Sequence, residues 1–126
     1  MSIKIQQCSF QDIKFIPENF EKGYASFAKR KKEEIWFSAK IDEKIIGCGC
    51  LLILNKTRVR HSNDFIIPDY RGNGFINTII TSREIWAYKN NFEYADVRTV
   101  KKYYNQHGYK IKKTFKDGWW LEKKLC

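Results

Sequence analysis

The stretch Arg58–Ala87, RVRHSNDFIIPDYRGNGFINTIITSREIWA, decides the reading of this chain. It divides into a strand, a tight glycine loop and an amphipathic helix. The run Asp64-Phe65-Ile66-Ile67 reads as strand and stops at Pro68, which cannot continue a ladder. The loop is Asp69-Tyr70-Arg71-Gly72-Asn73-Gly74, where glycines on either side of an asparagine permit positive φ and close backbone approach. From Phe75 the apolar residues Ile76, Ile79, Ile80 and Ala87 recur at helical spacing, beside a second row of Phe75, Ile85 and Trp86.

A glycine loop feeding a helix makes an anion site. The first turn of a helix has N–H groups without intrahelical partners, and the helix dipole adds partial positive charge there. Glycines let a phosphate approach those groups, and Arg71 contributes a full charge. The plainer alternative is an ordinary strand-to-helix connection in which the glycines only make the turn.

A second segment sharpens the choice. Pro68-Asp69-Tyr70-Arg71-Gly72-Asn73-Gly74 resembles the acyl-CoA loop of the GNAT N-acetyltransferase family, Pro-x-Tyr/Phe-Arg-Gly-x-Gly within Arg/Gln-x-x-Gly-x-Gly/Ala. Tyr103-Tyr104-Asn105-Gln106-His107-Gly108-Tyr109 resembles that family's Phe-Tyr-x-x-x-Gly-Phe. A helix and a strand separate the two, as the family requires. The resemblance spans roughly Ile35 to Leu125. It implies a mixed α/β (α+β) acyltransferase fold, acetyl-CoA as acyl-CoA co-substrate, and an amine-bearing acceptor.

The chain has 126 residues, read as a single domain over 1–126. Its 43% hydrophobic and 16% aromatic content argues for a folded globule and against disorder. No apolar run reaches about 18 residues, so no membrane span is expected. MSIKIQQCSF lacks an apolar signal core, which places the protein in the cytoplasm. Cys48 and Cys50, two apart, share one face of a strand; with no CxxC and no clustered histidine, no metal site is expected. Net charge is +10, concentrated in Lys29-Arg30-Lys31-Lys32 and in the last 26 residues, where eight lysines face only Asp117 and Glu122. Such a field suits either a nucleic-acid partner or simple solubility.

In chain order, Ser2–Cys8 reads as a first strand. Phe10–Lys32 reads as two short helices broken by Pro17 and Gly23, the second from about Asn19 to Lys32 with Phe20, Tyr24, Phe27 and Ala28 inward. Ile35–Ile41 and Lys44–Leu54 form a hairpin across Asp42-Glu43. Gly47 and Gly49 thin its second strand for a close neighbour. Phe92–Arg98 is a strand, and Thr99–Gln106 a short helix with Thr99 as N-cap and Gly108 just past its end. Tyr109–Phe115 and Trp119–Leu125 pair through Lys116-Asp117-Gly118.

The resemblance also implies roles. Main-chain groups at Asp64-Phe65-Ile66-Ile67 would grip the pantetheine arm and the thioester carbonyl. Arg71, Gly72, Asn73, Gly74, Phe75 and Ile76 would hold the phosphates. Tyr104 matches the family's general acid; its plain alternative is packing under the sheet. His61 and Asp64 are the candidate bases, alongside attack by an amine already neutral. Three positions apart, they point to opposite faces of a regular strand unless a bulge intervenes. Asp64 has Arg58 and Arg60 as possible partners, and His107 reads as surface. Ile76 stands where the family has a small residue, and the asparagine common after the penultimate strand is missing near Val97-Arg98-Thr99. The expected activity is N-acetyl transfer to an amine. The alternatives are a nucleic-acid acceptor (a charged tRNA amine or a base amino group) and a non-catalytic binding module. Monomer and homodimer both remain open.

Overall fold

A computed structural model describes residues 2–20 and 33–125. Its strands are β1 Lys4–Cys8, β2 Glu33–Ile41, β3 Lys44–Ile53, β4 Arg58–Ile66, β5 Tyr94–Thr99, β6 Lys110–Phe115 and β7 Gly118–Lys124. They form one sheet in the order β1-β2-β3-β4-β5-β7-β6. The helices are α1 Phe10–Ile13, α2 Phe15–Asn19 and α3 Phe75–Lys89, with 3-10 turns at Pro68–Tyr70 and Tyr103–His107. This is the expected mixed sheet. No described helix is long and apolar enough to cross a membrane.

The β2–β3 hairpin turns on Asp42 and Glu43, both with positive φ (49° and 68°), a geometry whose twist matches the strands it joins. Among the described strands only β4 and β5 run parallel, which requires a crossover, and α3 supplies it. On one face of the sheet α3 packs Ile80 and Ala87 against Leu51, Val59, Val97 and Leu121. On the other, Ile13 and Ile16 of α1 and α2 cover Trp36, Cys48, Cys50 and Phe65. Both cysteines of β3 thus share a face, as their spacing requires.

Several expectations change. Pro17 does not break α2 but lies inside its first turn, where a missing N–H removes no helical bond. The helix expected over Asn19–Lys32, with Tyr24, Phe27 and Ala28, falls mostly outside the described residues, and Phe20 is 41% exposed. Thr99 is no N-cap: it ends β5, and its hydroxyl accepts the Lys101 N–H at 2.9 Å in a turn. The 3-10 turn starts only at Tyr103 and ends at Gly108, φ 85°. In α3, Ile85 faces solvent at 50% exposure.

The middle of the sheet departs from regular pairing at β3 and β4. Pairing slips where Cys48 to Cys50 of β3 faces Phe65 back to Ser62 of β4. One extra β4 residue is accommodated there, with Asn63 at φ 57°. Opposite it, β3 has no side chains to spare. A Cβ on Gly47 would sit 2.5 Å from the Phe65 carbonyl oxygen, and one on Gly49 2.8 Å from Arg83 Nη1. Both contacts are closer than any side chain tolerates. Gly47→Ala is therefore expected to lower stability by about 1–3 kcal/mol, read as a reduced urea midpoint with unchanged slope. An unchanged midpoint would contradict this packing.

Candidate active site

Pairing between β4 and β5 runs from Arg58↔Tyr94 to His61↔Val97 and then ceases. Beyond it, Ser62–Ile66 and Arg98–Thr99 diverge, and a wedge opens between two strands that are neighbours at their other end. The wedge encloses about 320 Å³ and is lined by His61, Asp64, Arg98, Lys101, Tyr103 and Tyr104, among others. A second cavity of about 510 Å³ adjoins it at the start of α3. Asp64, Lys101 and Tyr103 line both.

The larger cavity gathers most of the residues expected to bind the donor. Phe65, Ile66, Arg71, Gly72, Gly74, Phe75 and Ile76 line it. Gly72 and Gly74 both take positive φ (86° and 75°), and nothing lies within 4 Å of a Cβ placed on Gly72, so the loop's backbone faces open space. Gly74 caps α3 without any side-chain bond, leaving first-turn N–H groups for a ligand. Arg71 reaches back along the wall: its Nε donates to the Ile66 carbonyl at 2.7 Å and its guanidinium lies over the Phe65 ring at 4.9 Å. Ile76 does both things its sequence allowed, packing on the core while forming cavity wall. Ile67 and Asn73 are not on the lining. Ile67 is buried, its N–H bonded to the Ile46 carbonyl, and the Asn73 amide donates to the Tyr70 carbonyl.

At the back of the wedge sits a buried charge that the sequence reading missed. Arg83 of α3 is completely buried. Its Nη2 lies 2.6 Å from Asp64 Oδ1 and donates to the Tyr104 hydroxyl at 3.1 Å; its Nη1 donates to the Cys50 and Ser62 carbonyls at 3.0 and 3.3 Å. The Tyr104 hydroxyl in turn donates to Asp64 Oδ2. Burial works against the guanidinium's charge, but the Asp64 carboxylate outweighs it and Arg83 holds its proton more firmly than usual. Burial first, then Asp64, pushes the Tyr104 phenol well above its ordinary 10.0. The signal was available: Arg83 stands on the stripe of Ile76, Ile79, Ile80 and Ala87, a charged residue at a core position.

The bulge brings together the two residues that a regular strand would separate. His61 lies 5.2 Å from Tyr104, ring centre to ring centre, and Asp64 accepts from the same tyrosine. Both therefore sit on the α3 face, because the extra residue at Asn63 reverses the alternation. Asp64 pairs with Arg83, and not with Arg58 or Arg60, which bind the buried Asp96 instead. His61 is 2% exposed, and its Nε2 lies 2.6 Å from the Tyr109 hydroxyl. Burial, then Arg83, His107 and Lys123, lower its pKa well below 6.5. His107 is half-buried, bonded to Asn77 at 3.0 Å, and not plain surface. Of the C-terminal lysines, Lys123 pairs with Glu84 and Lys112 with Glu122, while Lys29–Lys32 lie outside the described residues.

The sequence profile of the Acetyltransferase (GNAT) family matches residues 3–109. The chain belongs to this family. Its enzyme class is therefore that of the acyl-CoA-dependent acetyltransferases. No curated protein matches it in sequence. Solved structures share its fold at low identity. The PaiA N-acetyltransferase of Thermoplasma acidophilum, in complex with coenzyme A, is 17% identical with a TM-score of 0.77, covering 98% of this chain and 99% of its own. A GNAT family acetyltransferase of Elizabethkingia anophelis with acetyl-CoA bound is 12% identical with a TM-score of 0.72, covering 97% of each chain. N-acetylglutamate synthase of Neisseria gonorrhoeae, complexed with coenzyme A and L-arginine, is 12% identical with a TM-score of 0.76, covering 98% of this chain and 33% of that one.

The buried imidazole has a measurable consequence. Unfolded, His61 takes a proton near 6.5; folded, it resists until far lower pH. Between those values the unfolded state binds the extra proton, so stability falls as pH falls. From pH 6.5 to 5 the decline from this group should approach about 1.4 kcal/mol per pH unit. In His61→Gln the decline should be shallower by up to that amount. Equal pH slopes of urea-derived stability in the two proteins would contradict the assignment.

Proposed function

We propose that the protein moves an acetyl group from acetyl-CoA to the nitrogen of a small amine. The cavity at the start of α3 would take the donor and the wedge the acceptor. One observation carries this reading: the two spaces meet at Asp64, Lys101 and Tyr103, so groups held in each would come together beside Tyr104. The residues present fit the donor. Open backbone N–H groups at Gly72–Ile76 and the Arg71 charge suit its phosphates, and the edge of β4 released from β5 suits an amide-bearing arm. Phe65 and Ile66 would contribute main chain, Phe75 and Ile76 the apolar wall, and Asn73 the shape of the loop through its bond to Tyr70, while Ile67, bonded to Ile46 and Tyr70, would only brace the strand end.

The donor supplies an activated acetyl group; the chain supplies position and proton control. In the transfer a C–N bond forms as a C–S bond breaks, one proton leaves the acceptor nitrogen and one reaches the departing sulfur. Tyr104 is assigned the donor role at sulfur. The phenol is protonated at neutral pH, and its raised pKa means that it yields its proton only as negative charge develops on the sulfur. Asp64, with one oxygen on Arg83 and the other on Tyr104, is assigned to orient that phenol. His61, neutral behind them and with its Nε2 at the Tyr109 hydroxyl, buttresses the tyrosine ring at 5.2 Å, which leaves water to take the acceptor's proton.

Calorimetric titration with acetyl-CoA tests the donor site. Binding should weaken about tenfold or more in Arg71→Ala, the size of a lost charge-assisted contact. In Tyr104→Phe, turnover with the best amine should fall about a hundredfold with little change in KM for acetyl-CoA. No binding heat for the unaltered protein would overturn the reading.

A further inference from the structure

This inference rests on the wedge being the acceptor site. Its charged lining, among the described residues, consists of Asp64, Arg98 and Lys101. Asp64 is already compensated by a completely buried Arg83. What faces an incoming molecule is therefore cationic. Both Arg98 and Lys101 are exposed. Arg98 is held in place: its guanidinium lies over the Phe115 ring at 4.5 Å, with Lys113 Nζ 5.2 Å from the same ring. Lys101 is fixed at the rim by the turn in which its N–H binds Thr99 Oγ1. Asp117 lies in a neighbouring hollow that Arg98 and Phe115 also border.

We propose that the acceptor is an amine carrying an anionic group, a carboxylate or a phosphate, near its nitrogen, and that Arg98 and Lys101 hold that anion at the mouth of the wedge. A polycation would meet like charge on entry, and a plain ammonium would bring no anion to offset it. The same positive field favours the neutral amine over its ammonium. The acceptor nitrogen then sheds its proton to water, which accounts for a site whose carboxylate is occupied by Arg83 and Tyr104 and whose imidazole is buried.

The test uses amines that differ only by the anion. Thiol release from acetyl-CoA is followed with butylamine against 4-aminobutyrate, with ethanolamine against phosphoethanolamine, and with spermidine. We expect kcat/KM at least about tenfold higher for at least one anionic member over its partner, with spermidine poorest. The carboxylate and phosphate arms tell which anion is preferred. In Arg98→Ala/Lys101→Ala the preference should collapse, mainly through KM. Charge reversal, Arg98→Glu/Lys101→Glu, should move it toward spermidine. Acetyl-CoA binding with equal use of paired amines, with spermidine preferred, or with no anionic amine consumed would overturn this inference and leave the acyltransfer reading intact. Absence of acetyl-CoA binding would overturn both.

Discussion

A guanidinium with no access to water sits at the centre of this molecule, and its satisfaction constrains everything around it. Burying a cation is costly unless a counter-charge and hydrogen-bond acceptors meet it. Arg83 finds both: the Asp64 carboxylate, two main-chain carbonyls and the Tyr104 hydroxyl. Each partner imposes a condition. The guanidinium needs room, and Gly49 provides it by having no side chain. Asp64 must face α3, and the extra residue at Asn63 turns it there. Tyr104 must reach inward from its 3-10 turn, which Gly108 closes with a positive φ that favours glycine. One ion pair thus ties α3, β3, β4 and the turn after β5.

The position of that pair matters for the chemistry. It lies beside the point where β4 and β5 stop pairing, and it joins α3 to β3, β4 and the Tyr104 turn. The pair holds the Tyr104 hydroxyl between an anion and a cation, with its proton resting on Asp64. It also offsets the one carboxylate in the wedge lining among the described residues, so that, with the wedge as the proposed acceptor site, the exposed Arg98 and Lys101 would set the sign of the field an acceptor meets. Stability and substrate selection would then have a common origin.

The sequence carried much of the frame. Proline and glycine punctuation marked the loop before α3, and Asp42-Glu43 marked the hairpin, because turns are encoded by a few residues with special backbone freedom. The glycines of the proposed donor loop were legible for the same reason: a loop that offers backbone needs glycine, and glycine is visible. Side-chain networks are encoded differently. Arg83 was hidden because its justification lies at Asp64, Gly49 and Tyr104, residues distant in the chain. The shared face of His61 and Asp64 depended on a bulge whose extra residue, Asn63, has no glycine to announce it. Thr99 carried a capping residue's chemistry but used it in a turn, since the strand before it runs on to Thr99 itself.

The most direct test of the ion pair's organising role is a double-mutant cycle on stability with Arg83→Met, Asp64→Leu and the pair. Each single change leaves a buried charge alone and should lower stability by about 3–5 kcal/mol. The double change removes both charges and should be far less damaging than their sum, with a coupling of about 2 kcal/mol or more. Additivity within about 0.5 kcal/mol would mean that the two residues act independently, and that the buried ion pair does not organise the site.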